Sequence, residues 1–116
     1  MKIVDYRVRA EEPIERYGSH GAAFGRMAGL EGSGQVGCIR IEPGGLLGRH
    51  PAPIPQLFCV IDGQGQVSGA DGTHHSIESG QAAVWEAEES HEASTDSGMI
   101  VIVIELASIQ TTEGRT

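Results

Sequence analysis

Pro43-Gly44-Gly45-Leu46-Leu47-Gly48-Arg49-His50-Pro51-Ala52-Pro53-Ile54-Pro55-Gln56-Leu57-Phe58 is the stretch on which the reading of this chain turns. Prolines at 51, 53 and 55 fix their own φ and bias the residues before them toward extended backbone. Alternate side chains of an extended segment share a face. The pattern therefore predicts that His50, Ala52, Ile54, Gln56, Phe58 and Val60 point one way. Phe58 and Val60 suit an apolar interior, which directs His50 and Gln56 into it. A buried polar group without a partner is costly, so these two must meet each other, a water, a ligand or a metal ion.

Working outward, a second stretch repeats the theme. Gly80-Gln81-Ala82-Ala83-Val84-Trp85-Glu86-Ala87-Glu88-Glu89-Ser90-His91 sets another histidine at the start of a strand, after an acidic turn. Strand-like runs rich in Val, Ile and aromatic residues recur between glycine clusters. They are read near Ile3–Val8, Ala22–Ala28, Val36–Glu42, Leu47–His50, Gln56–Asp62, Gly65–Gly69, Thr73–Ile77, Ala82–Glu86, His91–Thr95 and Met99–Leu106. Asp62-Gly63-Gln64-Gly65 and Ala70-Asp71-Gly72-Thr73 have the composition of tight hairpin turns. Glu11–Tyr17 is the one helix candidate, short and carrying Pro13. Many short strands with regular turn punctuation make this an all-β chain, an antiparallel barrel or sandwich.

The 116 residues suffice for one domain. Residues 1–34 are expected to supply strands and loops packing on a barrel, 35–107 the barrel itself, and 108–116 a polar tail. Seventeen glycines, roughly twice ordinary usage, match the number of reversals that such a chain needs. The net charge of −8 would repel a phosphate backbone, which excludes nucleic acid as a partner, and disfavours an anionic membrane surface. No apolar run approaches the ~20 residues of a membrane span, and the first residues do not read as a signal peptide. The cytoplasm is the expected location. Cys38 and Cys59 lie in apolar strand-like segments and read as two buried thiols. Gly32-Ser33-Gly34-Gln35-Val36-Gly37 matches a dinucleotide fingerprint in letters only, because Cys38-Ile39-Arg40-Ile41 follows as a strand where a helix is required. It reads as a glycine-rich turn.

Both quoted stretches resemble the two motifs of the cupin family, the small double-stranded β-helix barrels. The family's first motif runs from glycine through five residues to His-x-His, then three or four to Glu and six to Gly. Here Gly44, His50, Ala52, Gln56 and Gly63 stand at those places. The second motif runs Gly, five residues, Pro-x-Gly, two residues, His, three residues, Asn. Gly80, Glu86, Glu88, His91 and Thr95 keep that register. The resemblance covers about residues 35–106 and implies an all-β double-stranded β-helix, a jelly-roll barrel. It also implies a single divalent ion in the barrel. His50, Gln56 and His91 stand at ligand positions, with Ala52 where a further histidine would be.

Two imidazoles and an amide oxygen can hold zinc, nickel, manganese, iron(II) or copper with positions left open. Without the usual carboxylate the occupied site is more cationic, which favours a small polar or anionic organic ligand. Ala52, Phe58 and Trp85 are read as its pocket walls. The catalytic residues are unknown; an enzyme of this kind would be a metal-dependent oxygenase, isomerase or lyase. The alternative is a metal-free small-molecule binding or sensing module in which His50, Gln56 and His91 bind the ligand directly. A third reading is an interaction domain with a side-chain-filled cavity. Glu86, Glu88 or Glu89 would supply the missing oxygen if the loop folded inward. The resemblance further implies a homodimer paired through its sheets. His74 and His75 read as surface residues, because neighbours in a strand face opposite ways. His20 reads as loop, and Arg40 and Arg49 read as partners of the many acids.

Overall fold

Proline-punctuated and glycine-punctuated β-branched segments fold into antiparallel strands in the computed structural model, which describes residues 1–6, 12–24, 26 and 28–111. In chain order these are β1 (Lys2–Asp5), β2 (Glu12–Pro13), β3 (Ala23–Phe24), β4 (Ala28–Ile41), β5 (Leu46–Pro51), β6 (Gln56–Ser68), β7 (His74–Glu78), β8 (Gln81–Trp85), β9 (Ser90–Ser94) and β10 (Met99–Thr111). One sheet runs β1-β8-β6-β10-β4. The far half of β6 leaves it to pair β7 and β9, and β9 pairs β5. The chain is a double-stranded β-helix whose two sheets share β6.

Alternation along the shared strands builds two apolar layers. Phe58 and Val60 of β6, Ala83 and Trp85 of β8 and Val101 of β10 meet Val67, Ile77 and Ala93 between the sheets. Fully burying side chains of this size stabilises the fold by roughly 1.5–3 kcal/mol each. The opposite parity carries Leu57, Cys59 and Ala82 on the outer face, against Tyr6, Val84, Ile102 and Ile104. The Tyr6 hydroxyl donates to the Val60 carbonyl at 2.7 Å, tying the residues after β1 to β6.

Several local expectations are corrected. Asp62-Gly63-Gln64-Gly65 is no hairpin: β6 continues through it, with a register shift against β10 at Ile61 and Gly63 at φ 87° two residues beyond. The glycine bends the strand from one sheet into the other instead of reversing it. Gly32–Gly37 is likewise strand, not turn. Gly32 (φ 87°) and Ser33 lie where the β4–β10 register slips between Leu106 and Ser108, and a Cβ on Gly34 would collide with the Glu105 carbonyl. These glycines serve a bulge and a close backbone approach. By contrast, residues 70–73 do turn, with the Thr73 amide donating to Asp71 Oδ1 at 2.9 Å.

The helix candidate is only a 3-10 turn over Arg16–Gly18, preceded by β2; Glu11 lies outside the described residues, as do Arg7 and Val8 of the first strand reading. β10 runs past Ala107 to Thr111, because its ladder with β4 resumes beyond the bulge; 112–116 lie outside the described residues. Cys38 is exposed rather than buried, since β4 is an edge strand with an uncovered outer face. No helix among the described residues is long and apolar enough to cross a membrane.

Candidate metal and ligand site

β5 and β9 are paired so that His50 stands opposite His91. Their ring centroids are 4.4 Å apart. His91 is 1% exposed, whereas His50 is exposed at the rim. The extended run expected from the prolines is interrupted after Pro51, so His50 and Gln56 belong to different strands and do not continue one alternating face. Ala52 is fully buried in that interruption, where its amide donates to the Glu89 carbonyl at 3.0 Å and its carbonyl accepts from the Glu88 amide at 2.6 Å.

Each imidazole is oriented by its own backbone. His50 Nδ1 lies 2.6 Å from the Gly48 carbonyl and His91 Nδ1 3.0 Å from the Glu89 carbonyl. A carbonyl can only accept, so both Nδ1 atoms carry the proton and both Nε2 lone pairs are left available. Burial, with His50 and Arg49 nearby, holds His91 below the usual imidazole range, against the opposing pull of the Glu89 carbonyl. A neutral ring is the form that ligates.

Behind the pair, Trp85 stacks on His91 with centroids 4.3 Å apart and a 29° interplanar angle. Phe58 meets Trp85 edge-on at 5.1 Å. Gln56, 8% exposed, is the cross-strand partner of Trp85 on one side and Glu105 on the other. Thus Trp85, Gln56, Glu105 and Gln35 form one row across the sheet, with the Gln35 amide donating to Glu105 Oε1 at 3.2 Å. Glu105 is a carboxylate that sequence reasoning missed. The signal was present, since an acid two residues beyond Val103 in an apolar run has inward parity.

The three loop glutamates are placed otherwise than a metal ligand would need. Glu89 accepts from the Met1 ammonium and the Ala70 and Glu86 amides, each at 3.0 Å. Those donors hold its carboxyl below the ordinary value, although burial alone would raise it. Glu86 and Glu88 are exposed. Thr95, at the second motif's last position, donates to the Gln64 carbonyl at 2.6 Å and accepts from the Gly98 amide at 2.9 Å, a turn-closing role. Outside the site, His74 is exposed and 3.8 Å from Glu92, and His75 and His20 are exposed. Arg40 lies 3.5 Å from Glu42. Arg49 instead donates to Ser68 Oγ and the Gly69 carbonyl rather than to an acid.

The donor set can be tested against an ion. Two imidazoles ligating one ion at 2.0–2.1 Å and a right angle place their centroids about 4.6 Å apart. The observed 4.4 Å and the two free Nε2 atoms fit that demand. Among the described residues no third His, Cys, Asp or Glu joins them. A cleft of about 550 Å³ lies over the outer face of β6, β7 and β9, and one of about 740 Å³ lies at the rim beside the β8–β9 loop, with Trp85, Glu86 and Glu89 in its lining; neither is lined by His50 or His91.

No family model matches the sequence, and no curated protein matches it either. Solved structures do match its fold. An uncharacterised protein with a double-stranded β-helix domain from Klebsiella pneumoniae aligns over 72% of this chain and 78% of its own, at 19% identity and a TM-score of 0.59. A cupin-2 domain protein from Shewanella frigidimarina aligns over 63% and 70%, at 18% identity and a TM-score of 0.55. A predicted oxalate decarboxylase from Thermotoga maritima aligns over 66% and 65%, at 16% identity and a TM-score of 0.55. The class is that of the double-stranded β-helix barrels. The chain has the double-stranded β-helix fold of the cupins.

Proposed function

We propose that this cupin-fold protein binds a small polar or anionic organic molecule at its paired histidines, through a divalent transition-metal ion held by His50 Nε2, His91 Nε2 and the Gln56 amide oxygen. The observation that carries the reading is the ladder-paired imidazole couple whose Nδ1 atoms are both committed to backbone carbonyls. Such outer contacts fix the tautomer and aim the free lone pairs. The bound ion would supply Lewis-acid or oxygen-activating chemistry, and it can be zinc, nickel, manganese, iron or copper. Neutral donors leave its charge uncompensated, which favours an anionic ligand. Phe58 and Trp85 wall the site and exclude water, and His91 is kept neutral by burial. If the site turns over, the reaction belongs with metal-dependent oxygenases, isomerases or lyases; the likeness to the predicted oxalate decarboxylase from Thermotoga makes oxalate the first carboxylate to try.

Elemental analysis of purified protein, His50→Ala and His91→Ala tests the ion. The expected result is near-stoichiometric metal in the wild type and at least a ten-fold loss in each variant. Trace metal, unchanged by either substitution, would favour the second reading, a metal-free binding or sensing module. That reading draws support from the lack of a third His, Cys, Asp or Glu beside the pair among the described residues. Free Cys38 and Cys59 thiols accord with a reducing cytoplasmic location. A homodimer is the proposed assembly, on grounds argued below at the scale of the whole molecule.

A further inference from the structure

Among the described residues, Trp85 Nε1 is the only buried side-chain nitrogen or oxygen without a hydrogen-bond partner. The residue is fully buried, with His91 stacked on its face and Phe58 meeting it edge-on. Native interiors rarely leave an indole N–H unsatisfied, because desolvating a donor without an acceptor costs about 1–3 kcal/mol. The donor is also fixed in place. Complete burial and stacking on His91 hold the ring in this orientation.

We infer that Trp85 is a ligand-anchoring residue whose Nε1–H donates to an oxygen of a small carboxylate bound beside His91. The inference rests on the reading that the barrel takes a small organic molecule, but not on the ion. An indole N–H is donor only, so the missing partner must be an acceptor. A carboxylate oxygen is the stronger acceptor, since hydrogen bonds to charged groups are worth more than neutral ones. Trp85 would then select for an oxygen acceptor, and the Gln56 amide beside it offers a second donor to the same ligand.

The chain has one tryptophan, so its single indole N–H resonance and its intrinsic fluorescence report this position alone. Oxalate, acetate and pyruvate are titrated into ¹⁵N-labelled protein, with and without prior metal stripping. The expected result is a saturable downfield shift of the indole resonance with at least one of the three. Trp85→Phe, which keeps a ring against His91 but removes the donor, should bind that carboxylate about 10- to 100-fold more weakly by calorimetry. Its folding is checked from the amide spectrum. Carboxylate binding with an unmoved indole resonance, or with equal affinity in Trp85→Phe, would overturn the inference while leaving the pocket reading intact; a water on Nε1 would give that outcome. No binding of any of the three overturns it as well. A shift that persists in stripped protein supports it even where the metal analysis fails.

Discussion

Glu88 shows how a single residue can keep a family's backbone while abandoning its residue type. It occupies the place of the second motif's glycine and holds φ at 67°. A side chain in the left-handed region costs roughly 1–2 kcal/mol, partly offset by the greater flexibility that glycine gives the unfolded chain. Glu88→Gly should therefore stabilise the protein by about 0.5–1 kcal/mol, read as a higher urea midpoint at unchanged slope. Cys59 gives a prediction with pH. Burial pushes its thiol from 9.0 up to about 11. Between those values the unfolded chain has lost the proton that the folded chain retains, so stability falls as pH rises. The loss should approach about 2–3 kcal/mol by pH 11, and the extra slope should vanish in Cys59→Ala when denaturation is compared at pH 8 and pH 10.5. At this scale the sequence was partly legible. His50, Gln56 and His91 are polar residues set at motif spacing in apolar company, and that much can be read from letters. Glu105 shows its inward parity in letters, but its relevance depends on which residue of β6 it faces. The contrast between Cys38 and Cys59 was hidden for the same reason, since both segments look alike until one becomes an edge.

Among the elements, β4 and β6 departed furthest from expectation, and in both cases glycine misled. An Asp-Gly dipeptide flanked by apolar runs is ordinarily a hairpin signal, yet at Gly63 it bends a continuous strand. A local pattern cannot distinguish reversal from bending when the outcome depends on a partner strand some forty residues away. The glycines of β4 can be separated by substitution. Gly34→Ala drives a methyl group toward the Glu105 carbonyl and the Leu106 side chain, and should cost about 1–3 kcal/mol. Gly48→Ala meets nothing within 4 Å at an ordinary φ, and should be neutral or stabilising by up to about 1 kcal/mol. Thermal denaturation of the two variants side by side checks the contrast. Equal midpoints would show that the β4–β10 approach is not as close as described.

The outer apolar layer of the molecule is buried at Leu57, Cys59 and Ala82 but open to solvent at its β4 margin, at Val36 and Cys38. One row across the sheet reads Val36, Ile104, Leu57 and Val84, and the next reads Cys38, Ile102, Cys59 and Ala82. At its margin Val36 is 68% exposed, and β4 has an unpaired edge in the described sheet. A second copy laid on this face would cover both the edge and the row, which is the support for the proposed homodimer. Val36→Glu should accordingly shift the protein from dimer to monomer in light scattering, with the barrel's circular dichroism unchanged; a wild-type monomer at 100 μM would refute the pairing.

β6 also has a consequence for how the barrel comes apart. Its first half lies between β8 and β10, its second between β7 and β9, and Gly63 joins them without a break in the strand. Neither sheet can open independently while the other persists, because each would have to release the same strand. His91, on β9 against the shared strand, is tied to that global event, whereas His50 is held by the β5–β9 pairing alone. Ligand binding at the rim is then linked to the stability of the whole chain, and a bound molecule should protect residues far from it as strongly as those it touches.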